Sequence, residues 1–94
     1  MPNGHNFVRR ISTMDIAHLK SVNKTIGAKQ TLKQIAKGAV KYVFLGCDSD
    51  ERVVQPLRIA CEEQRIPVND EHTMDDLGRA CRIKVRATAV GILR

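Results

Sequence analysis

GAKQTLKQIAKGAVKYVFLGCDSD, residues Gly27 to Asp50, decides the fold. Its first half has a helical period. At about 100° per residue, with Lys29 at zero, Lys33 falls near 40°, Lys37 near 80°, Gln30 near 100° and Gln34 near 140°. Ala28, Thr31, Leu32, Ile35 and Ala36 gather on the other side. An amphipathic helix from about Ala28 to Lys37 follows, with Gly38 as a good terminating residue and Gly27 able to turn the chain sharply into it. The second half changes period. Tyr42-Val43-Phe44-Leu45-Gly46 is a continuous apolar run of strand-forming residues, as expected of a buried strand.

The same alternation continues on both sides. Upstream, Asp15 to about Asn23 reads as a short helix capped by Ser12 or Thr13, and Thr25-Ile26-Gly27 as a brief extended stretch. Downstream, Asp48-Ser49-Asp50-Glu51 supplies caps and negative charge to a helix over about 51–64. Its inner face carries Val53, Val54, Leu57, Ala60 and Cys61. Pro56 suits a first turn, so the regular helix is expected to begin later than Glu51. Ile66-Pro67-Val68 opens an edge strand, because Pro67 has no N–H to donate. Thr73 caps a helix ending near Arg82, with Met74, Leu77 and Cys81 inside, and Ala87 to Leu93 forms a last strand. Helix and strand alternate four times, which predicts an α/β fold with a mixed or largely parallel sheet covered by helices on both faces. The 94 residues make one domain, 13–94, preceded by a flexible arm over residues 1–12.

The net charge of +6 is unevenly placed. Residues 16–47 carry six lysines and no acid. Residues 48–76 carry nine acids and only Arg52, Arg58 and Arg65. Residues 77–94 carry Arg79, Arg82, Lys84, Arg86 and Arg94 and no acid. If the two basic segments meet, they form one positive face suited to a polyanion such as nucleic acid. Net charge for solubility alone is the plainer reading. Phe7, Tyr42 and Phe44 are the whole aromatic complement, which argues against folds that stack bases on aromatic sheets.

Two stretches can carry chemistry. At the start of GAKQTLKQIAKG, free backbone N–H groups and the positive end of the helix dipole favour anions. Lys29 and Gln30 stand in the first turn, and Lys33 and Lys37 extend the stripe. Lysine donates to guanine edges or phosphate. A solvated Lys/Gln face is the competing account. The second stretch is Arg79 to Thr88, RACRIKVRAT, where cations alternate with apolar residues. Either Ile83 and Val85 are offered to a base from a loop, or they begin the last strand and point inward. Both readings stand open on the residues alone.

Catalytic signatures are weak. Asp48-Ser49-Asp50 is better read as caps than as a metal motif. His5, His18, His72 and the three cysteines lack metal-ligand spacing. Cys47 beside Asp48 reads as a small semi-buried thiol rather than a nucleophile. The nucleotide-binding glycine motifs are missing from the chain. No metal, cofactor or catalytic residue is expected. The odd, scattered cysteines read as reduced thiols. With no apolar run long enough to cross a bilayer and no signal-peptide core, the expected setting is the cytoplasm and the expected state a monomer.

GAKQTLKQIAKG, KYVFLGCDSD and LGRACRIKVRATAVGIL, in that order, resemble the large-subunit seven-Ae / thirty-e ribosomal protein family, and within it the small bacterial members that bind kink-turn RNA. The resemblance covers roughly Asp15 to Leu93. It implies a three-layer α/β/α sandwich with a four-stranded mixed sheet. It also implies a non-catalytic protein whose helix start enters the groove of a kink-turn at its sheared G·A pairs, and a ribosomal or other structured RNA as partner. Gly27, Lys29, Gln30 and Lys33 match that helix start, with Lys-Gln where the family usually has Asn-Glu. Lys37 matches a basic position near phosphates. Ile83, Lys84 and Val85 match a loop whose apolar side chains cap splayed bases. Arg82 stands where the family often has glycine, and Arg86 where it has glycine or alanine. A protein-interaction module of the same fold, using the acidic 48–76 segment, is the alternative.

Overall fold

A computed structural model describes residues 16–94. The expected arm, and the caps assigned to Ser12 and Thr13, lie outside the described residues. A 3-10 helix, Ile16–Lys20, is followed by β1 (Lys24–Ile26), α1 (Ala28–Ala36), β2 (Val40–Gly46), α2 (Glu51–Gln64), β3 (Val68–His72), α3 (Met74–Ala80) and β4 (Ala89–Leu93). The strands lie in the order β1-β4-β2-β3. β4 runs antiparallel to both neighbours, while β2 and β3 are parallel. The sheet is therefore mixed, as expected.

Each face of the sheet carries its own core. On one face, Ile35 of α1 and Val54, Leu57 and Cys61 of α2 pack with Val40, Val43, Leu45 and Ala89 of the strands. On the other, Leu19 of the 3-10 helix and Leu77 and Cys81 at α3 pack with Tyr42, Phe44, Val90 and Ile92. Successive strand residues point to opposite faces, so β2 serves both cores, and its run from Tyr42 to Gly46 is wholly buried. The result is the three-layer α/β/α sandwich.

Several local expectations are corrected. The first helix is a short 3-10 turn closed by Ser21 N–H to the His18 carbonyl (3.1 Å), not an α-helix to Asn23. α2 is regular from Glu51 and contains Pro56. So early in a helix, the ring removes only one bond, to the Arg52 carbonyl, and the position faces solvent. Val53 is 45% exposed rather than inside, because Val54 and Leu57 already fill the inner stripe. Ala36 is likewise exposed at the last turn of α1. α3 stops at Ala80, and β4 starts at Ala89 rather than Ala87.

Candidate nucleic-acid interface

The strand directions put the ends of β1, β2 and β3 and the start of β4 at one edge of the sheet. All three α-helices begin there. Two of them are closed by the chain's own side chains. Asp50 Oδ1 accepts from Arg52 N–H (2.9 Å) at α2, and Thr73 Oγ1 accepts from Asp76 N–H (3.1 Å) at α3. The Arg52 contacts hold the Asp50 carboxyl below its usual range. Asp48, expected among the caps of α2, instead accepts from the Met74 N–H (2.9 Å) and ties the end of β2 to α3.

α1 differs. Its N-cap is Gly27, at φ 103 and ψ 148, a backbone conformation closed to ordinary L-residues, and no side chain caps the helix. Gly27 N–H donates to the Ala89 carbonyl (2.8 Å). Thr31 N–H reaches back to the Gly27 carbonyl (2.9 Å). The first-turn N–H groups of α1 thus lack a side-chain partner, and Lys29 and Gln30 flank them, both exposed. Lys33 and Lys37 follow along the exposed stripe. Thr31 and Ile35 hold the opposite side of the helix in the core.

The Gly27–Ala89 bond also brings the second basic stretch alongside. Residues 82–88 lead straight into β4. Gly46 N–H donates to the Thr88 carbonyl (2.9 Å), and Ala87 N–H to the Met74 carbonyl (3.1 Å). This segment is a loop, and the two apolar residues in it part company. Val85 is 71% exposed, whereas Ile83 is half-buried against the core beneath α3 and anchors the loop. Arg82, Lys84 and Arg86 are exposed. Arg82 has φ 60, in the left-handed region, the physical reason why a glycine pattern suits this position. Lys84, Val85 and Arg86 line a groove of about 520 Å³ with Met74 and Thr88.

Sequence reasoning missed Met74, Thr88 and Gly78. Gly78 is buried in α3, and a Cβ there would run into the Val85 carbonyl oxygen and lie 3.3 Å from the Arg86 Cα. The bare glycine lets the loop lie on the helix. An isolated glycine inside a helical pattern was the available signal.

The electrostatics sort in the same way. The three ion pairs among the described residues all lie within the acidic segment: Arg52–Asp50, Arg58–Glu51 and Arg58–Asp70, each 3.1 Å. None involves Lys29, Lys33, Lys37, Arg82, Lys84 or Arg86. Among the described residues no group of His, Cys, Asp and Glu could hold a metal, and no helix is long and apolar enough to cross a membrane. Cys47 is exposed where the strand end turns out to solvent, not the semi-buried thiol expected; burial pushes Cys61 up to about 11 and also raises Cys81.

Known proteins share this sequence and this fold. Residues 14–94 match the ribosomal protein L7Ae/L30e/S12e/Gadd45 family. The chain is 38% identical over 69 residues to RNA-binding protein YbxF of Geobacillus stearothermophilus, covering 73% of this chain and 84% of that one. It is 41% identical over 71 residues to an RNA-binding protein of Caldanaerobacter subterraneus, covering 74% and 87%. Among solved structures, the Giardia lamblia 15.5kD RNA binding protein superposes with a TM-score of 0.77 at 25% identity, over 100% of this chain and 78% of that one. A Bacillus halodurans protein of unknown function shares the fold, with a TM-score of 0.77 at 23% identity, over 84% of this chain and 83% of that one.

Proposed function

Because the chain belongs to the ribosomal protein L7Ae/L30e/S12e/Gadd45 family, we propose that it is a non-catalytic RNA-binding protein that recognises kink-turn RNA through the edge described above. The observation that carries the reading is the Gly27–Ala89 hydrogen bond, which sets an uncapped helix start beside a cationic loop. A kink-turn offers two matching surfaces: guanine edges at sheared G·A pairs, and bases splayed from the bend.

In this reading Lys29 and Lys33 donate to guanine edges. Gln30 accepts guanine N–H groups through its amide oxygen, a weaker contact than a carboxylate would make. Gly27 brings the backbone close to the RNA. Lys37 neutralises phosphate along one arm. Val85 covers a splayed base, held up by Ile83, with Arg82, Lys84 and Arg86 on the flanking phosphates. Binding energy then selects the kinked conformer from a bent-and-extended ensemble. The setting is a ribosome or another structured cytoplasmic RNA assembly, with the protein acting as a monomer.

Titration of a kink-turn RNA against the same RNA with its G·A pairs converted to Watson–Crick pairs tests the reading. Strong preference for the kink-turn is expected, with affinity falling as salt rises. Equal affinity for both RNAs would refute specific recognition. A protein-interaction module predicts no gel shift with either RNA at physiological salt.

A further inference from the structure

The opposite end of the sheet carries a second group of cations. Lys37 closes α1, Lys41 stands one residue into β2, and Arg94 follows β4. Ladder register brings the last two together. Val40 pairs with Leu93 and Tyr42 with Ile92, so β2 advances two residues while β4 advances one. Lys41 is the extra residue of a β-bulge. Its neighbours Val40 and Tyr42 are buried, and Lys41 is exposed. Arg94 is clamped beside it: its N–H donates to the Ala39 carbonyl (2.8 Å) and its Nε to the Gly38 carbonyl (3.0 Å).

Cations at a helix C-terminus often serve only to satisfy its carbonyls and its dipole. Here backbone N–H groups and Gln64 meet that need for the helix carbonyls, and of the three cations only Arg94 spends a side-chain N–H on a carbonyl, that of Gly38 beyond the helix. The Gln34 carbonyl accepts from Lys37 and Ala39 N–H, and the Ile35 carbonyl from Gly38 N–H and from Gln64 Nε2 (2.7 Å). Arg94 takes the Gly38 carbonyl. No acid among the described residues pairs with Lys37, Lys41 or Arg94. Leu93, paired with Val40 beside Lys41, stands four steps along β4 from the Gly27–Ala89 bond, roughly 13 Å at about 3.3 Å per residue. Lys29, Lys33 and Lys37 bridge the gap along α1.

We infer that Lys41, with Lys37 and Arg94, forms a second anchoring point for RNA phosphate, separate from the G·A-reading edge. The phosphates belong either to the distal arm of the same RNA or to a second RNA helix. In both cases the protein holds a stretch of duplex as well as a kink.

Three RNAs tested on the full chain separate the cases: a kink-turn with short arms, the same RNA with one arm lengthened by about a helical turn, and an unkinked duplex added to protein saturated with the short-armed RNA. Lys41→Glu is expected to weaken the long-armed RNA or the added duplex about tenfold, and Lys41→Gln about threefold, at low salt. Both should leave short-armed binding within about twofold. Loss on the long arm assigns the phosphates to the same RNA; loss on the added duplex assigns them to a second one. No loss on either, or an equal loss on the short-armed RNA, overturns the inference. The inference rests on the kink-turn reading, and the two fail differently: equal affinity in the G·A comparison sinks that reading, whereas a preserved G·A preference with no Lys41 effect on the long arm or the added duplex sinks this inference alone.

Discussion

The helix starting at Gly27 and the helix starting at Asp50 leave the same edge of one sheet and end in opposite chemistry. Asp50 places a carboxylate on its own helix start and pairs with Arg52. Glu51 and Asp70 take up Arg58 beside it. That end is electrostatically finished. Gly27 brings no side chain, spends its N–H on β4, and leaves lysines unpaired around an open first turn. The difference teaches that a helix start is available for a ligand only where the chain has not already answered it.

The comparison can be broken most strongly at the open end. Lys33→Ala or Lys29→Ala is expected to weaken kink-turn RNA binding by about 1–3 kcal/mol, roughly fivefold to 150-fold, as read by titration at fixed salt. Unchanged affinity would mean that the open helix start is not the contact. The melting temperature should stay within a degree or two, because both side chains are exposed.

Next is Gly78→Ala, which forces the Val85–Arg86 backbone off α3. The overpacking should cost about 1–3 kcal/mol, and the midpoint should fall by about 4–8 °C per kcal/mol. RNA affinity should fall too, since the loop loses its seat. A stable variant with normal RNA binding would show that the close approach is dispensable.

At the finished end, Asp50→Ala should lower the melting temperature and leave RNA affinity within about twofold. The lowered carboxyl also sets a pH signature. Its contribution is complete above the ordinary carboxylate range and is lost as pH falls from there through the lowered folded value. Wild type should therefore lose its advantage over Asp50→Ala in acid. A pH-independent difference would argue against the charged cap.

The smallest effect concerns the core under α2. Cys61 is neutral in the fold, with its ionisation pushed from 9.0 up to about 11. Its contribution is complete below the ordinary thiol range and is lost as pH rises from 9.0 towards 11. Urea melts between pH 8 and pH 10.5 should show a steeper decline for wild type than for Cys61→Ala. Parallel declines would exclude the thiol as the cause.

Much of this architecture was legible in residue patterns. The stripe of Ile35 and Thr31 against Lys29, Lys33 and Lys37 declared α1, and the run from Tyr42 to Gly46 declared a buried strand. Both signals are strong because burial imposes them residue by residue. Val53 and Pro56 depart from expectation because periodicity marks a stripe wider than a helix needs, and because a solvent-facing proline in the second turn, at the cost of its one N–H bond, does not stop the helix from starting at Glu51. Ile83 and Val85 could not be told apart by type: the same apolar chemistry serves a loop anchor and an exposed contact, and only the packing against α3 distinguishes them.

The residues alone determined the alternating elements, the segregation of charge and the absence of a side-chain cap at Gly27, since these depend on neighbours within one turn or one strand. Tertiary structure decided that the two basic stretches meet. That outcome needs β4 inserted antiparallel between β1 and β2, pairings between residues 44 to 68 positions apart for which no local pattern in the chain is a sign. It also decided that Lys41 is thrust outward, because a bulge exists only relative to a partner strand.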